Sequence, residues 1–337
     1  MHRTQNTEHR ESVIDFLKGI CILLVCLTHY AWEGAERRAL LFSWWVDMAV
    51  PVFMILSGYV YAKSIRRKKI DRLSHLFSYS DLVKKTIRFT MPILIVFLLT
   101  VIWDANKYTD GIPYEIFKTF LQGGRGQGAY YYPLMMQAIF VLPVIGILVT
   151  RHEEKGLLIC LFANIAYEVL HVAYNVPVES YRLLVFRYIF ILAAGCYIAL
   201  EKKMSVSVFG GMFCSGFLFL YAYLYMGYKP RYVIHWTGTC FLAAMYMIPI
   251  VCILIRKFKL RLVPIEFLGK ASYHIFAMQM LYYYTVAPLV YQSVQNRKVQ
   301  LLLSMGCCVC SGVLFYFVET PVSKFLQNKV THKFKVE

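Results

Sequence analysis

The chain has 337 residues, 59% of them hydrophobic and only 16% charged, with a formal net charge of +17. A soluble domain of this length carries nearer a quarter charged residues, so the composition excludes an ordinary water-soluble fold and points to a polytopic membrane protein. In that setting the positive charge reads as basic loops that fix topology and meet anionic lipid, with no nucleic-acid partner.

The first apolar stretch, 13–31, follows a basic segment, as a signal peptide would. Asp15 and Lys18 interrupt it, however, and no small-residue cleavage site follows Tyr30, so it reads as a retained first transmembrane helix. Lys18 and His29 bracket the run GICILLVCLT within it. At about 100° per residue, the steps between them return almost to the starting direction. Both side chains therefore face one way, ~16 Å apart along the axis, with Asp15 close to that face. Each ionisable group at membrane depth costs ~2.5–3.5 kcal/mol on insertion scales, which makes these residues candidates for function.

Further apolar stretches follow at 44–62, 86–103, 131–150, 156–174, 183–200, 206–226, 234–255, 270–290 and 300–318. The expected fold class is all-α: a polytopic membrane helix bundle of about ten transmembrane helices, each near 20 residues. Basic clusters fall on every second connection, at Arg66–Lys69 with Arg72, Arg151 with Lys155, Lys202 with Lys203, Arg256–Arg261, and Lys324–Lys335. That alternation places both termini in the cytoplasm. Three basic pairs break it: Arg37/Arg38, Lys229/Arg231 and Arg297/Lys298. The chain reads as a single transmembrane domain over 1–337, with short cytoplasmic tails at about 1–12 and 322–337.

The external loop 104–130 holds Gly123-Gly124-Arg125-Gly126-Gln127-Gly128, which lacks the lysine and strand of a phosphate loop and reads as a hinge or a mobile rim. Ten cysteines all fall in apolar runs, without zinc spacing, and read as small buried side chains; no metal is expected. Most of the 26 tyrosines read as an interfacial belt.

Other polar residues lie inside the spans: Ser57-Gly58 in the second, Lys85 and Arg88 opening the third, Glu168 and His171 in the fifth, Arg187 in the sixth, His274 and Gln279 in the ninth, and Glu319 closing the tenth before Pro321. Such groups face inward, pair, or line water. Glu168 and His171 are expected to satisfy each other, His274 to be interfacial, and Glu319 to end its helix.

Taken in order, these residues resemble the membrane acyltransferase 3 family. Arg10-x4-Asp15-Phe16-Leu17-Lys18-Gly19-Ile20 followed by His29 is similar to its first helix. Pro51-Val52-Phe53-Met54-Ile55-Leu56-Ser57-Gly58-Tyr59 resembles its F-F-x-L-S-G-F signature, and Lys85-x2-Arg88 before Pro92 its R-x2-R segment. Tyr132-Pro133-Leu134 through Pro143, Leu268-Gly269-Lys270-Ala271-Ser272-Tyr273 and Glu319-x-Pro321 match later motifs. The matches run from Arg10 to Pro321. Lys18 and Lys85 stand where arginine is commoner, and Gln279 where many members carry histidine.

The resemblance implies an integral plasma-membrane O-acetyltransferase-like enzyme. It would move an acyl group, commonly acetyl, from cytoplasmic acyl-CoA to a hydroxyl of an extracytoplasmic carbohydrate or glycolipid. His29 is expected as general base or transient acyl carrier, with Asp15 and Lys18 in the catalytic group. Lys85, Arg88, Arg10 and Ser57 are expected to bind acyl-CoA. The partners expected are acyl-CoA, the acceptor and the lipid bilayer, with association of two copies left open. A transporter or flippase of lipid-linked saccharide is the competing reading, because a bundle with inward charges also suits a pathway.

Overall fold

The computed structural model describes residues 2–70, 77–104, 112–202, 205–228 and 240–333, with side chains described for 12–70, 77–104, 114–202, 205–228 and 240–330. Among them every regular element is helical. The order is α1 (His2–Thr28), α2 (Gly34–Ala39), α3 (Phe42–Trp45), α4 (Ala49–Lys68), α5 (Tyr79–Trp103), α6 (Ile112–Leu121), α7 (Tyr131–Ala173) and α8 (Val178–Arg182). A 3-10 turn, Val185–Tyr188, leads into α9 (Ile189–Ile198), followed by α10 (Val206–Tyr225), α11 (Phe241–Ala244), α12 (Met247–Lys257), α13 (Val263–Thr285), α14 (Ala287–Ser293) and α15 (Arg297–Lys333). The protein is an all-α membrane helix bundle. Among the described residues, five segments are long and apolar enough to cross a bilayer: Phe42–Lys68, Tyr79–Trp103, Tyr131–Ala173, Val206–Tyr225 and Arg297–Val330.

α7 holds two of the expected spans. Glu153 has φ 50 and ψ −115, and a Cβ on Gly156 would lie 2.6 Å from the Leu148 carbonyl oxygen. Positions 148 and 156 of an unbroken helix lie ~12 Å apart, so the chain doubles back at Glu153 and its two halves pack together. The expected sixth span is shorter than a bilayer crossing. Val185–Ile198 is apolar because it lies in the protein core, where Phe190 through Ala199 are all buried. The eighth overlaps residues outside those described, and its described part is α11 and α12.

Two crossings between helix pairs set the frame. A Cβ on Gly58 would meet the Leu192 carbonyl oxygen at 2.0 Å, and one on Gly195 would meet that of Ile55 at 2.0 Å, so α4 and α9 touch backbone to backbone. Gly19 and Gly269 do the same for α1 and α13, against Ile265 and Asp15. Lipid supplies no hydrophobic drive between helices, so close approach at small residues is a principal source of packing there. Against this frame α5, the first half of α7, and α15 close a central space.

Two helices run past their expected ends. α5 starts at Tyr79, capped by the Ser78 hydroxyl, which accepts from the Asp81 amide at 3.3 Å. Its first turns are cationic, so hydropathy hid them. α15 continues through Pro321 to Lys333, so Glu319 does not end the helix. A proline removes one backbone hydrogen bond, which a transmembrane helix tolerates when its neighbours hold it.

Candidate active site

A cavity of about 800 Å³ runs through the bundle, walled by α1, α4, α5, α7, α13 and α15. Asp15, Lys18, His29, Ser57, Lys85 and Arg88, all singled out from the sequence, line it together. Arg10 lies among the residues whose side chains are not described. Lys68, Lys84, Lys270 and Lys324 join Lys18, Lys85 and Arg88 at one end. The middle is largely apolar, lined by Ile22, Val25, Phe53, Leu56, Met135 and Phe276, and His29, Gly128 and Tyr130 lie at the other end.

At the cationic end, three of the seven cations, Lys18, Lys85 and Arg88, were candidate site residues from the sequence and four were not. Lys84 and Lys68 looked like loop charge, Lys324 like tail charge, and Lys270 stood in a motif that carried no assigned role. Lys18 Nζ lies 3.7 Å from Asp15 Oδ1, and Lys68 Nζ donates to Asp81 Oδ2 at 3.0 Å. Lys85 sits over the Tyr61 ring at 5.0 Å. Among the described residues, Lys84, Lys85, Arg88, Lys270 and Lys324 have no carboxylate partner within ion-pair distance. The Ser57 hydroxyl donates to the Phe53 carbonyl at 2.8 Å, so its proton is engaged within α4 while Gly58 serves the packing of α9.

His274 is not interfacial. Its Nε2 lies 2.7 Å from Glu319 Oε2, and the two side chains are 12% and 2% exposed. Ser323 donates to the other Glu319 oxygen. The sequence put His274 at a boundary because the helical continuation of α15 was not visible. Glu168 and His171 do not satisfy each other either. Tyr181, brought in by α8, donates to Glu168 Oε1 at 2.7 Å and lays its ring 4.4 Å from that of His171.

The opposite end is built on the C-terminus of α1. A helix end leaves its last four carbonyls without intrahelical partners. Here each has a side-chain donor: His29 Nδ1 to Val25 at 3.0 Å, Tyr283 Oη to Cys26 at 2.8 Å, Trp32 Nε1 to Leu27 at 2.7 Å, and Arg37 Nη1 to Thr28 at 3.2 Å. A carbonyl oxygen only accepts, so the His29 proton is on Nδ1. In the neutral ring Nε2 then carries the lone pair. Arg37 also donates to Asp47 Oδ1 at 2.6 Å, and the Thr28 hydroxyl donates to the same oxygen at 2.9 Å. Sequence reading passed over Asp47, although an intramembrane carboxylate at the start of a span was a signal of the kind that flagged Asp15.

The glycine-rich loop is pinned here, not a free rim. Arg125 Nη1 donates to Asp104 Oδ2 at 2.6 Å, Tyr284 Oη donates to the same oxygen at 2.5 Å, and Gln279 Nε2 donates to the Gln127 carbonyl at 3.1 Å. Gly126 and Gly128 have φ of 105° and 93°, a region that glycine enters without strain. A side chain at Gly126 would run into Met280 backbone.

The family model described as Acyltransferase domain, of the acyltransferase 3 type, matches residues 12–318. No curated protein and no solved structure matches.

Proposed function

The chain belongs to the membrane acyltransferase 3 family, and from that premise we propose that it transfers an acyl group, acetyl in the simplest case, from cytoplasmic acyl-CoA to a hydroxyl of an extracytoplasmic carbohydrate or glycolipid. One observation carries the reading: a single cavity has at one end a cationic mouth in which, among the described residues, five cations have no carboxylate partner, and at the other a histidine whose Nδ1 is bonded to Val25.

The donor's phosphates suit the mouth. Arg88 offers a planar fork and Lys84, Lys85, Lys270 and Lys324 offer point charges, all able to make charge-assisted bonds to phosphate oxygens. The acyl-bearing arm then extends along the apolar stretch past Ile22 and Phe53. Lys18, on α1, and His29, directly after its end, stand ~16 Å apart along the helix axis, so the mouth and the reacting end are separated by an extended chain's length. Lys18, held by Asp15, adds charge at the point where the arm enters.

The step itself needs one base. Nε2 of His29 takes the acceptor's hydroxyl proton as its oxygen attacks the thioester carbonyl carbon. The tetrahedral adduct collapses, the C–S bond breaks, and the thiolate leaves with the proton that Nε2 returns. A neutral imidazole with a free Nε2 lone pair can take up and return a proton in the two transfers. The Nδ1 bond to Val25 fixes the tautomer and the ring plane, as a catalytic base requires.

The test is mass analysis of surface glycans from cells holding wild type or His29→Ala at matched membrane levels. Loss of one acyl ester in the variant is expected. Unchanged acylation refutes His29 as base, and movement of a lipid-linked sugar without any acyl change favours the transporter reading.

A further inference from the structure

We infer that Asp47, acting through Arg37, is a positioning residue for His29; the inference rests on the reading of His29 as the base. α1 stops at Thr28, so His29 is the first residue beyond the regular helix, and its ring is held by a bond to Val25 in the last turn. The ring is therefore placed only as well as that turn is placed.

Three of the four donors that close the turn come from outside it: Tyr283 on α13, Trp32, and Arg37 on α2. Arg37 alone is charged. A cation at a helix C-terminus is favourable, because the helix dipole is negative there. Its guanidinium is only 32% exposed, however, and lies within 5.0 Å of the Phe42 ring centre. Asp47, 16% exposed, supplies the opposite charge. One oxygen of its carboxylate accepts from both Arg37 and the Thr28 hydroxyl, and Ser43 donates to the other at 3.4 Å. The residue immediately before His29 is thus tied, twice over, to the segment that opens α4.

Asp47 does two things in this arrangement. It locks Arg37 against the Thr28 carbonyl, which fixes the turn that carries His29. It also offsets a positive charge that would otherwise stand uncompensated beside an imidazole that must accept a proton. Asp47 touches no reacting atom, so its effect is expected in the rate of transfer and not in donor binding.

The experiment uses the full chain in lipid nanodiscs, with acetyl-CoA as donor probe and the host's membrane extract as acceptor source. Release of free CoA is followed for wild type, Asp47→Asn, Asp47→Glu, Arg37→Gln, the Arg37→Gln/Asp47→Asn double variant and His29→Ala. Asp47→Asn is expected to lower kcat about tenfold or more, since small displacements at a reacting centre are costly. The KM for acetyl-CoA should stay within about twofold, and Asp47→Glu should recover most of the rate. Because Asp47 works through Arg37, the double variant should lose no more than the worse single variant.

Wild-type kcat in Asp47→Asn overturns the inference, as does a double-variant loss beyond the larger single loss. Acetyl-CoA binding lost together with turnover makes Asp47 a general packing residue and overturns it too. Wild-type activity in His29→Ala overturns the parent reading instead, which separates the two failures.

Discussion

Arg88→Gln is the sharpest probe of the cationic mouth. Five cations there, Lys84, Lys85, Arg88, Lys270 and Lys324, have no carboxylate within ion-pair reach among the described residues, and Arg88 alone has a guanidinium fork. A hydrogen bond to a charged group contributes about 1.5–3 kcal/mol, so removing the fork should weaken acyl-CoA binding by about 10- to 150-fold. Arg88→Lys keeps the charge but not the paired donors and should fall between the two. The reacting end lies roughly 16 Å beyond Lys18 along the axis of α1, so kcat at saturating donor should be unchanged. Turnover in nanodiscs against acetyl-CoA concentration, repeated over a potassium chloride series, measures both. Wild-type KM should rise with salt, and the Arg88→Gln variant should show a shallower rise. A fall in kcat with KM unchanged would refute the reasoning, because it would place Arg88 with the reaction and not with the phosphates.

Other perturbations test other parts. Gly58→Ala places a Cβ 2.0 Å from the Leu192 carbonyl oxygen, where ordinary contact begins at 3.4 Å. It should lower the unfolding temperature in detergent, at a cost of about 1–3 kcal/mol. Gly210→Ala, with nothing within 4 Å, is the matched control and should be silent. His274→Ala leaves the nearly inaccessible Glu319 with the Ser323 hydroxyl but without a partner for Oε2, and should destabilise by about 1–3 kcal/mol. A His274→Ala/Glu319→Ala double variant should recover part of that stability in thermal unfolding, and a double variant less stable than the single would show that the pair is not what matters. His29→Ala should abolish acyl transfer while leaving acetyl-CoA binding intact, read by equilibrium binding on the purified chain.

Apolar length and charge carried most of the helix assignments, because a bilayer demands long runs and penalises polar groups inside them. The two halves of α7 were separable in the sequence because Arg151-His152-Glu153-Glu154-Lys155 interrupts the apolar run, although only one residue leaves helical geometry. What misled was hydropathy near helix ends. The first turns of α5 and the last turns of α15 are charged, and both turn out to deliver cations to the cavity. The apolar run at 183–200 misled in the other direction, because a buried core helix and a lipid-facing one read alike. The Lys18–His29 face was legible because both residues belong to one apolar run, with His29 directly after the last turn of α1. The Asp47–Arg37–Thr28 brace was not, because its members approach only through the fold of the 30–47 segment over the end of α1.

The basic pairs that broke the loop-charge alternation have local explanations. Arg37 closes the α1 terminus and pairs with Asp47. Arg297 donates to Glu33 at 3.1 Å, to Glu36 at 2.6 Å and to the Ala31 carbonyl at 3.1 Å, tying the start of α15 to the cap over α1. The loop-charge rule is a bias on insertion, counted over many residues, and leaves room for a few arginines that the folded cap uses. Lys229 and Arg231 lie outside the described residues. With Arg37 and Arg297 accounted for by the cap, the five cavity-lining cations that have no carboxylate partner among the described residues lie at the opposite end of the cavity, on α5, α13 and α15. An anionic donor needs such unpaired charge, and paired arginines do not supply it. The same separation that supports an inward-facing mouth therefore also supports donor entry from that side, and the two proposals stand or fall on one measurement: whether acetyl-CoA protects Lys84 and Lys85 from a membrane-impermeant amine reagent applied to inside-out vesicles. Protection from that side is expected. Labelling of these lysines in right-side-out vesicles would overturn the orientation and the donor route together.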